Sequence, residues 1–302
     1  MRKIKVVVLM GGPDAEHDVS IRSGTAVAQA LSQSGKYNVQ TISIQHTSEK
    51  NLIEMQADVF FPVLHGPYGE GGPLQKLLEN TGIPFVGSGS KESETAMNKI
   101  KTKEIAKQIG IQTPNWGLLT EHIPCSVSLP LILKPIDDGS SIDMAICHDD
   151  KELEQARLAL HKSRASLLAE SYIRGREITV GIINGNPLPV IEIIPPEDCS
   201  TYDFAAKYER DDTQYVVDPA LPENHCVKNA LELYSKLNIN DIARVDFILN
   251  DQGPWLLEIN TMPGFTDHSL IPMAAKQAGF SMPMLCSVLV ENALLRASLL
   301  NP

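Results

Sequence analysis

The chain lacks an excess of positive charge. Its 302 residues include 26 lysines and arginines against 37 aspartates and glutamates, which gives a formal net charge of −11. Binding to DNA or RNA depends on many lysine and arginine contacts with phosphates. The charge balance therefore argues against nucleic acid as the main partner, and we predict none. It does not exclude a nucleotide, because a few well-placed lysines can hold its phosphates.

Cysteine is scarce, and the five cysteines are odd in number and show no CxxC spacing. They are Cys125, Cys147, Cys199, Cys226 and Cys286. This pattern disfavours both a disulfide framework and a thiolate metal site, and predicts a reduced cytoplasmic protein. We also expect no apolar run long enough to cross a bilayer, and hence no membrane association. Residues 1–10 faintly resemble a signal peptide, but their apolar run is short and ends at Gly11-Gly12, which favours a first strand.

No GxGxxG motif follows that strand, so a dinucleotide site is disfavoured. Residues 11–20 instead read GGPDAEHDVS, and a helix is predicted from about Val19 to Ser34. A strand, a glycine turn and a helix are typical of the opening of a parallel α/β domain. Glu16 lies beyond the strand's carboxyl end, where it would suit a ligand's ammonium group. The alternative is an acid that stabilises the start of the helix.

A predicted hairpin near the end of the chain carries the most informative polar pattern. Alternating strands at residues 244–249 and 255–260 flank a turn rich in asparagine, aspartate and glycine. The period of two puts Glu258 and Asn260 on one face, and strand pairing can bring Asp246 beside Glu258. Carboxylate and amide oxygens suit a hard cation such as Mg²⁺. The alternative is an ordinary solvated strand face.

Two further stretches predict ligand contacts. A buried strand over residues 129–135 ends in Lys134, and a small polar loop with Gly139-Ser140-Ser141 follows, which together favour phosphate binding over a plain surface turn. Another strand ends near Leu64 and is followed by His65-Gly66, where glycine permits close approach of a ligand. A single helix is predicted over residues 93–109, and most of its lysines are interpreted as solvated charges.

Taken in order, these motifs resemble those of the D-alanine–D-alanine ligase family of the ATP-grasp superfamily over nearly the whole chain. The matching motifs are Gly11-Gly12 with Ala15-Glu16 and Val19-Ser20, His65-Gly66, Lys134-Pro135 with Gly139-Ser140-Ser141, Tyr202-Asp203 with Lys207-Tyr208, Arg244-Val245-Asp246, Glu258-Ile259-Asn260-Thr261, Pro263-Gly264 and His268-Ser269-Leu270. Each motif alone is a weak match, but their common order leaves few rivals.

The resemblance implies an α/β ATP-grasp fold of three α/β domains. Residues 1–97 would form a Rossmann-like N-terminal domain, residues 98–180 a central subdomain, and residues 181–302 a C-terminal subdomain with the metal and substrate site. ATP would lie between the last two. The implied activity is ATP-dependent ligation of two D-alanine molecules through an acylphosphate, for peptidoglycan synthesis, cell-wall biogenesis and cell shape. A homodimer built on the N-terminal domain is also implied.

The same resemblance implies roles for individual residues. ATP would be bound by Lys99, Lys134, Glu170, Ser171, Ile173, Glu177 and Lys207. Two Mg²⁺ ions, replaceable by Mn²⁺, would be bound by Asp246, Glu258 and Asn260. The catalytic residues would be Glu16, Ser140, Tyr208, Arg244, Gly264 and Ser269. The D-alanine molecules would be bound by Glu16, His65, Ser269 and Leu270.

The chain departs from the family pattern at four places. Asn98 stands where an aspartate is usual before the ATP lysine, Gly71 where the loop usually has aspartate, Asp143 where it has glycine, and Ser171 where it often has lysine. These departures bear on loop mobility and ATP affinity. They do not bear on the implied chemistry, since every implied metal and oxyanion residue is present.

Two alternatives stay open at this point. A related ATP-grasp enzyme joins D-alanine to a D-hydroxy acid, but the resemblance implies phenylalanine in place of Tyr208 for that activity. A binding protein that has lost catalysis would lack the metal acids or Arg244, and the sequence retains all of them.

Overall fold

The computed structural model describes residues 2–139, 143–196, 212–221 and 225–300. Within these ranges the chain forms three β-sheets, which have three, four and six strands in chain order, with helices packed between and around them. The predicted α/β class is therefore confirmed. We name the sheets N-terminal, central and C-terminal, following the order of the chain.

The N-terminal sheet is parallel, with β1 between β2 and β3. Its strands are β1 (Ile4–Gly11), β2 (Tyr37–Ile44) and β3 (Val59–Pro62), and its helices are α1 (His17–Gln33), α2 (Glu49–Glu54), α3 (Gly66–Gly69) and α4 (Pro73–Thr81). Val6 to Leu9 are fully buried, as expected for a strand covered on both faces. Because the strands are parallel, the ends of β1 and β3 lie at one edge, and the segments that follow them begin there.

The central sheet is antiparallel in the order β4-β7-β5-β6. Its strands are β4 (Trp116–Thr120), β5 (Leu131–Pro135), β6 (Ala145–Cys147) and β7 (Ser166–Ser171), and helix α7 (Asp150–Leu160) joins the last two. The segment before it forms α5 (Ser90–Met97) and α6 (Lys99–Gln108). The prediction of a single helix over residues 93–109 was therefore wrong.

Asn98 lies at this break between α5 and α6. Its backbone is extended, with ψ of 101°, and its side chain accepts a hydrogen bond from the N–H of Lys101 at 3.0 Å. Asparagine and aspartate are equally good residues for starting a helix in this way. The replacement of the family's usual aspartate by Asn98 therefore leaves the helix start intact.

The C-terminal sheet contains the predicted hairpin. Its strands run in the order β11-β10-β8-β12-β13, with β9 paired to β8. The elements are β8 (Arg176–Ile183), β9 (Asn186–Pro187), β10 (Ile191–Ile194), β11 (Gln214–Val217), α8 (His225–Lys236), β12 (Ile242–Asn250), β13 (Gly253–Asn260), α9 (Leu270–Gln277) and α10 (Met282–Leu300). Asp246 lies opposite Glu258, as predicted, and Arg244 lies opposite Asn260.

Asp241 joins the N-terminal and C-terminal parts of the molecule. Its buried carboxylate accepts the N–H of Gly87 at 2.7 Å and also contacts Asn292 and Arg296 of α10. Arg296 in turn donates to the carbonyl of Phe85 at 2.8 Å. The domain limits at residues 97 and 180 stay a prediction. Strand β8 extends across residue 180 and belongs wholly to the C-terminal sheet.

In the described part of the chain, one helix segment, Met282–Leu299, is long and apolar enough to cross a membrane by length and composition. The expectation that no such run exists was therefore wrong. A buried core helix passes the same test, and Leu285, Leu289 and Val290 on one face of α10 belong to the core shared with β1 and β3. This packing accounts for the apolar residues on that face, whereas Met284, Leu295 and Leu299 are exposed.

Candidate active site

Two clefts meet at the junction of the three sheets. The wide cleft, of about 1050 Å³, lies where the N-terminal and C-terminal sheets face each other. The narrow cleft, of about 110 Å³, lies between the central and C-terminal sheets. Gly139 lines both, so the clefts adjoin at a residue of the predicted phosphate loop.

The wide cleft collects the predicted substrate residues, two further predicted catalytic residues and one predicted metal ligand. Its walls include Glu16, His65, Arg244, Asn260, Gly264, Ser269 and Leu270. They come from the start of α1, the segment after β3, the β12–β13 hairpin and the start of α9. Residues far apart in the sequence therefore line one cleft.

The narrow cleft collects the predicted ATP residues and two of the predicted metal ligands. Its walls include Lys99, Lys134, Glu170, Ser171, Ile173, Glu177, Asp246 and Glu258. Three further predicted site residues, Ser140, Lys207 and Tyr208, lie outside the described residues.

One face of the β12–β13 hairpin carries a connected polar cluster. Asp246 accepts the hydroxyl of Thr179 at 2.6 Å, and Arg244 donates to both its carboxylate oxygens, with NH2–Oδ2 at 2.7 Å. Asn260 Nδ2 lies 3.3 Å from Asp246 Oδ2. Glu258 Oε2 lies 3.3 Å from Lys99 Nζ. The hairpin therefore places two carboxylates, an amide and a guanidinium on one face, with Glu258 paired to Lys99 and the other three groups bonded to one another.

The chemistry of this donor set fits Mg²⁺. Asp246, Glu258 and Asn260 offer hard oxygen atoms, and no sulfur or imidazole lies among them. In the described ranges, no cluster of three or more histidine, cysteine, aspartate or glutamate side chains could hold a metal. Two acids and one amide are too few for a self-sufficient site, and Mg²⁺ commonly completes its ligand shell with substrate phosphates.

Ser269 and Gly264 lie against each other at the start of α9. Ser269 Oγ accepts the N–H of Thr266 at 2.9 Å, which fixes the turn into the helix. A Cβ atom at position 264 would lie 2.8 Å from Ser269 Oγ, so glycine permits this close approach. The N–H of the next residue, Phe265, is bound by Ser23 of α1 at 3.1 Å. This part of the cleft wall is thus anchored to the N-terminal domain.

His65 presents a neutral imidazole. Its Nδ1 lies 3.1 Å from the carbonyl oxygen of Met262, which can only accept, so Nδ1 carries the proton. The other ring nitrogen, Nε2, is then an acceptor, and it is buried without a hydrogen-bond partner among the described residues. Burial lowers the pKa of His65 from its ordinary value, which favours the neutral ring.

Glu70 is a buried acid of the wide cleft that sequence reasoning did not include among the site residues. It is only 6% exposed, and its Oε1 accepts the N–H of Gly66 at 3.3 Å. Burial and the nearby charge of Glu16 raise the pKa of Glu70 to about 8. A Cβ on Gly139 would lie within 4 Å of oxygens from both acids, so both face this glycine. The sequence pattern that could have indicated Glu70 as a site residue is an acid between two glycines, Gly69 and Gly71, in the segment after β3.

Glu70 predicts a pH dependence of stability in the ligand-free protein. Between pH 4.5 and about 8 only the folded state keeps this proton, so stability should fall as pH rises through that window and then level off. The slope from one proton is about 1.4 kcal/mol per pH unit at most. We expect Glu70→Gln to flatten the slope, measured by urea unfolding at several pH values. The exposed-acid variant Glu104→Gln should keep it, and an equal slope in Glu70→Gln would contradict the assignment.

The structure also corrects the interpretation of the α6 lysines. Lys101 and Lys107 are exposed as predicted, but Lys99 is only 6% exposed and Lys103 is completely buried. Lys103 was not among the predicted site residues. The helical period alone could not separate the two buried lysines from the two exposed ones.

The remaining departures from the family pattern have local explanations. A Cβ at Gly71 would lie 2.4 Å from the carbonyl oxygen of Pro67, so only glycine fits there. Asp143 adopts a positive φ of 55°, a conformation natural to the usual glycine, and its carboxylate pairs with Arg164 at 3.2 Å. The N–H of Ser171 is bound by the carbonyl of Asn115 at 2.8 Å, a contact that does not depend on its side chain.

Family models match most of the chain. The model described as D-ala D-ala ligase C-terminus matches residues 103–291, and the model described as D-ala D-ala ligase N-terminus matches residues 45–88. The first match alone covers more than half of the chain and includes most of the narrow cleft.

Named relatives agree with these models. The chain is 39% identical to a D-alanine–D-alanine ligase of Methylacidiphilum infernorum, with 96% of each chain covered. It is 36% identical to the corresponding enzyme of Syntrophotalea carbinolica, with 98% of each covered. The structure is similar to that of a Bacillus anthracis D-alanine–D-alanine ligase complexed with ATP, with a TM-score of 0.86, 32% identity and full coverage of both chains.

Proposed function

The chain belongs to the D-alanine–D-alanine ligase family, and we propose that its narrow cleft holds ATP while its wide cleft holds the two D-alanine molecules. The reaction is the ATP-dependent ligation of two D-alanine molecules to D-alanyl-D-alanine. The positions of the described site residues support this assignment of ATP and D-alanine to separate clefts. All of them line one of two clefts that adjoin at Gly139.

In the narrow cleft, the base and the phosphates of ATP occupy opposite parts. Glu170, with the backbone of Ser171 and Ile173, faces adenine, and Glu177 faces the ribose. Lys99 and Lys134, together with Lys207, neutralise the phosphates. Lys99 lies 3.3 Å from Glu258, which supports a phosphate position next to the hairpin.

In the wide cleft, charged groups set the orientation of the two amino acids. Glu16 is the buried acid at the start of α1 and pairs with the ammonium group of the first D-alanine. The carboxylate of the second D-alanine binds at Ser269 and Leu270, where the N–H groups at the start of α9 favour an anion. Nε2 of His65, which has no partner in the described part of the chain, accepts a hydrogen bond from a substrate N–H.

The chemistry proceeds in two transfers. The carboxylate of the first D-alanine attacks the γ-phosphorus of ATP, which forms an acylphosphate and releases ADP. The neutral amine of the second D-alanine then attacks the acyl carbon. Arg244 and the N–H of Gly264 stabilise the oxyanion of the tetrahedral intermediate, and inorganic phosphate leaves as the peptide bond forms. Ser140 and Tyr208 are proposed to place the attacking amine.

Asp246, Glu258 and Asn260 are the residues that would hold two Mg²⁺ ions, or Mn²⁺ in their place. Bound there, the ions would neutralise charge on the β- and γ-phosphates. Arg244 and Thr179 keep the carboxylate of Asp246 oriented for this purpose.

We further propose that the enzyme acts in the cytoplasm as a homodimer formed through its N-terminal domain and supplies a peptidoglycan precursor. The free state of Cys125, Cys147, Cys226 and Cys286 supports a reducing compartment. Use of ATP supports the same location.

The proposal predicts ADP release that depends on D-alanine and Mg²⁺. We expect D-alanyl-D-alanine as the product with D-alanine alone, no product with L-alanine, and no ester when D-lactate is added. Coupled ADP release and mass spectrometry of the products measure these outcomes. ADP release that is independent of D-alanine would contradict the function, and ester formation with D-lactate would favour the hydroxy-acid alternative.

A further inference from the structure

Lys103 is a fully buried cation next to the nucleotide cleft but outside its lining. It lies on α6, one turn after Lys99, and is 0% exposed. Its Nζ pairs with Glu170 and donates to Thr113 Oγ1 at 2.8 Å and to the carbonyl of Leu256 at 3.3 Å. A buried ammonium is costly unless it is paired and hydrogen-bonded, and Lys103 meets both conditions.

Glu170 lies between two lysines. Lys103 contacts Oε1 of the carboxylate and Lys134 contacts Oε2. Burial alone would raise the pKa of Glu170, but the two cations together hold it below its ordinary value. Burial lowers the pKa of Lys103 to about 8, against the opposing effect of Glu170. The carboxylate is therefore ionised at neutral pH.

Lys134 and Lys103 differ in exposure and therefore in their freedom to move away from Glu170. The Lys134 side chain lines the narrow cleft and keeps 12% of its surface exposed, so it can turn to a phosphate. Lys103 is completely enclosed and is held by Thr113 and Leu256 as well. When Lys134 engages the nucleotide, Lys103 is the partner that stays with Glu170.

We propose that Lys103 is a positioning residue that keeps Glu170 ionised and oriented as an acceptor for the 6-amino group of adenine, and so sets the preference for ATP over 6-oxo purine nucleotides. The inference rests on the proposed placement of adenine at Glu170. A fixed carboxylate accepts the N–H of a 6-amino purine. A 6-oxo purine presents an oxygen there instead, which leaves two acceptors facing each other.

The experiment compares Lys103→Met and Lys103→Gln with Lys101→Met, an exposed lysine of the same helix that pairs with Glu94. Calorimetry measures the binding of ADP and IDP, which requires no turnover. We expect Lys103→Met to weaken ADP binding about tenfold to a hundredfold and to reduce the ADP-over-IDP preference by a similar factor. In turnover, KM for ATP should rise while kcat at saturating ATP and KM for D-alanine stay close to wild type. Lys101→Met should match the wild type throughout.

The double variant Lys103→Met/Glu170→Gln tests the coupling between the two residues. A neutral amide needs no buried cation and can turn either its oxygen or its N–H₂ to the base. We expect the double variant to recover the stability that Lys103→Met loses and to bind ADP and IDP about equally. It also keeps the test open if Lys103→Met alone fails to fold.

Two results would overturn the proposal. The first is a folded Lys103→Met or Lys103→Gln protein with lower stability but unchanged ADP affinity and unchanged preference, which is the signature of a purely structural lysine. The second is a wild-type protein that binds ADP and IDP equally well. Failure of the ligase function is distinguishable, because it would appear as D-alanine-independent ADP release while nucleotide binding still obeyed these expectations.

Discussion

Glu258→Gln should lower the D-alanine-dependent rate of ADP release by roughly a thousandfold or more. The substitution keeps the shape of the side chain but removes the negative charge that a divalent cation requires. In the proposed mechanism, a more weakly held cation would neutralise less of the charge that repels the attacking carboxylate from the γ-phosphate. The hairpin supplies only one other carboxylate, Asp246, and that group is already shared with Arg244.

The fold should survive this change. The Glu258 side chain is 21% exposed and lies 3.3 Å from Lys99, so an amide can still accept a hydrogen bond from the ammonium. The matched control is Glu192→Gln, a partly buried glutamate of the same sheet that pairs with Arg176 at 2.6 Å. It should change turnover little.

Metal binding gives a second readout that does not depend on turnover. Electron paramagnetic resonance of Mn²⁺ in the presence of ADP should show tight binding to wild type and to Glu192→Gln, and much weaker binding to Glu258→Gln. Near-normal turnover by Glu258→Gln, or undiminished Mn²⁺ binding, would refute the metal assignment.

The hairpin shows why part of this site could be predicted from the sequence. Strand residues alternate between two faces, and a short turn fixes which residues lie opposite each other. These rules predict that Asp246 lies near Glu258, but regular pairing outward from the turn would place it opposite Leu257. A register shift between Asp246 and Phe247 brings Asp246 opposite Glu258, and the sequence pattern did not indicate that shift. The strand before Lys134 and the helix after Gly11-Gly12 were predictable for the same reason, since each depends on a local pattern.

Contacts between distant segments could not be predicted in this way. The enclosure of Lys103 depends on Thr113 and on Leu256, 153 residues away, and no local pattern records it. Glu70 acquires its raised pKa from burial near Glu16, which lies on a different element. The sequence indicated which residue types belong to the site, while the packing of the three sheets determines their charge states.

The division of α5 from α6 was missed for a different reason. Asparagine inside an apolar helical pattern is compatible with either a continuous helix or a new helix start. Here the side chain of Asn98 caps α6 by accepting the N–H of Lys101. The N–H of Lys99 donates to the carbonyl of Ile136 at 2.9 Å. Ile136 directly follows β5 of the central sheet, so tertiary structure decided between two locally acceptable conformations.

Arg244→Met should reduce kcat about a hundredfold to a thousandfold with a smaller effect on KM for ATP. Arg244 lines the wide cleft, and its guanidinium is held by the carboxylate of Asp246, with NH2 at 2.7 Å from Oδ2. This pairing orients the cation before substrate arrives, so little reorganisation is needed when negative charge develops on the acyl oxygen. Methionine fills a similar volume without any charge.

Arg244 touches a metal ligand as well as the cleft, so its two possible roles have to be separated. If it stabilises the oxyanion, Arg244→Met should weaken binding of a phosphinate dipeptide analogue in parallel with the loss of kcat, because such an analogue resembles the tetrahedral intermediate. ADP-dependent Mn²⁺ binding should fall much less than kcat, because Thr179 still holds the carboxylate of Asp246. Arg176→Met on the neighbouring strand β8 removes a comparable arginine–carboxylate pair and should leave both measurements unchanged. Loss of Mn²⁺ binding with normal analogue affinity would instead show that Arg244 serves only to orient Asp246.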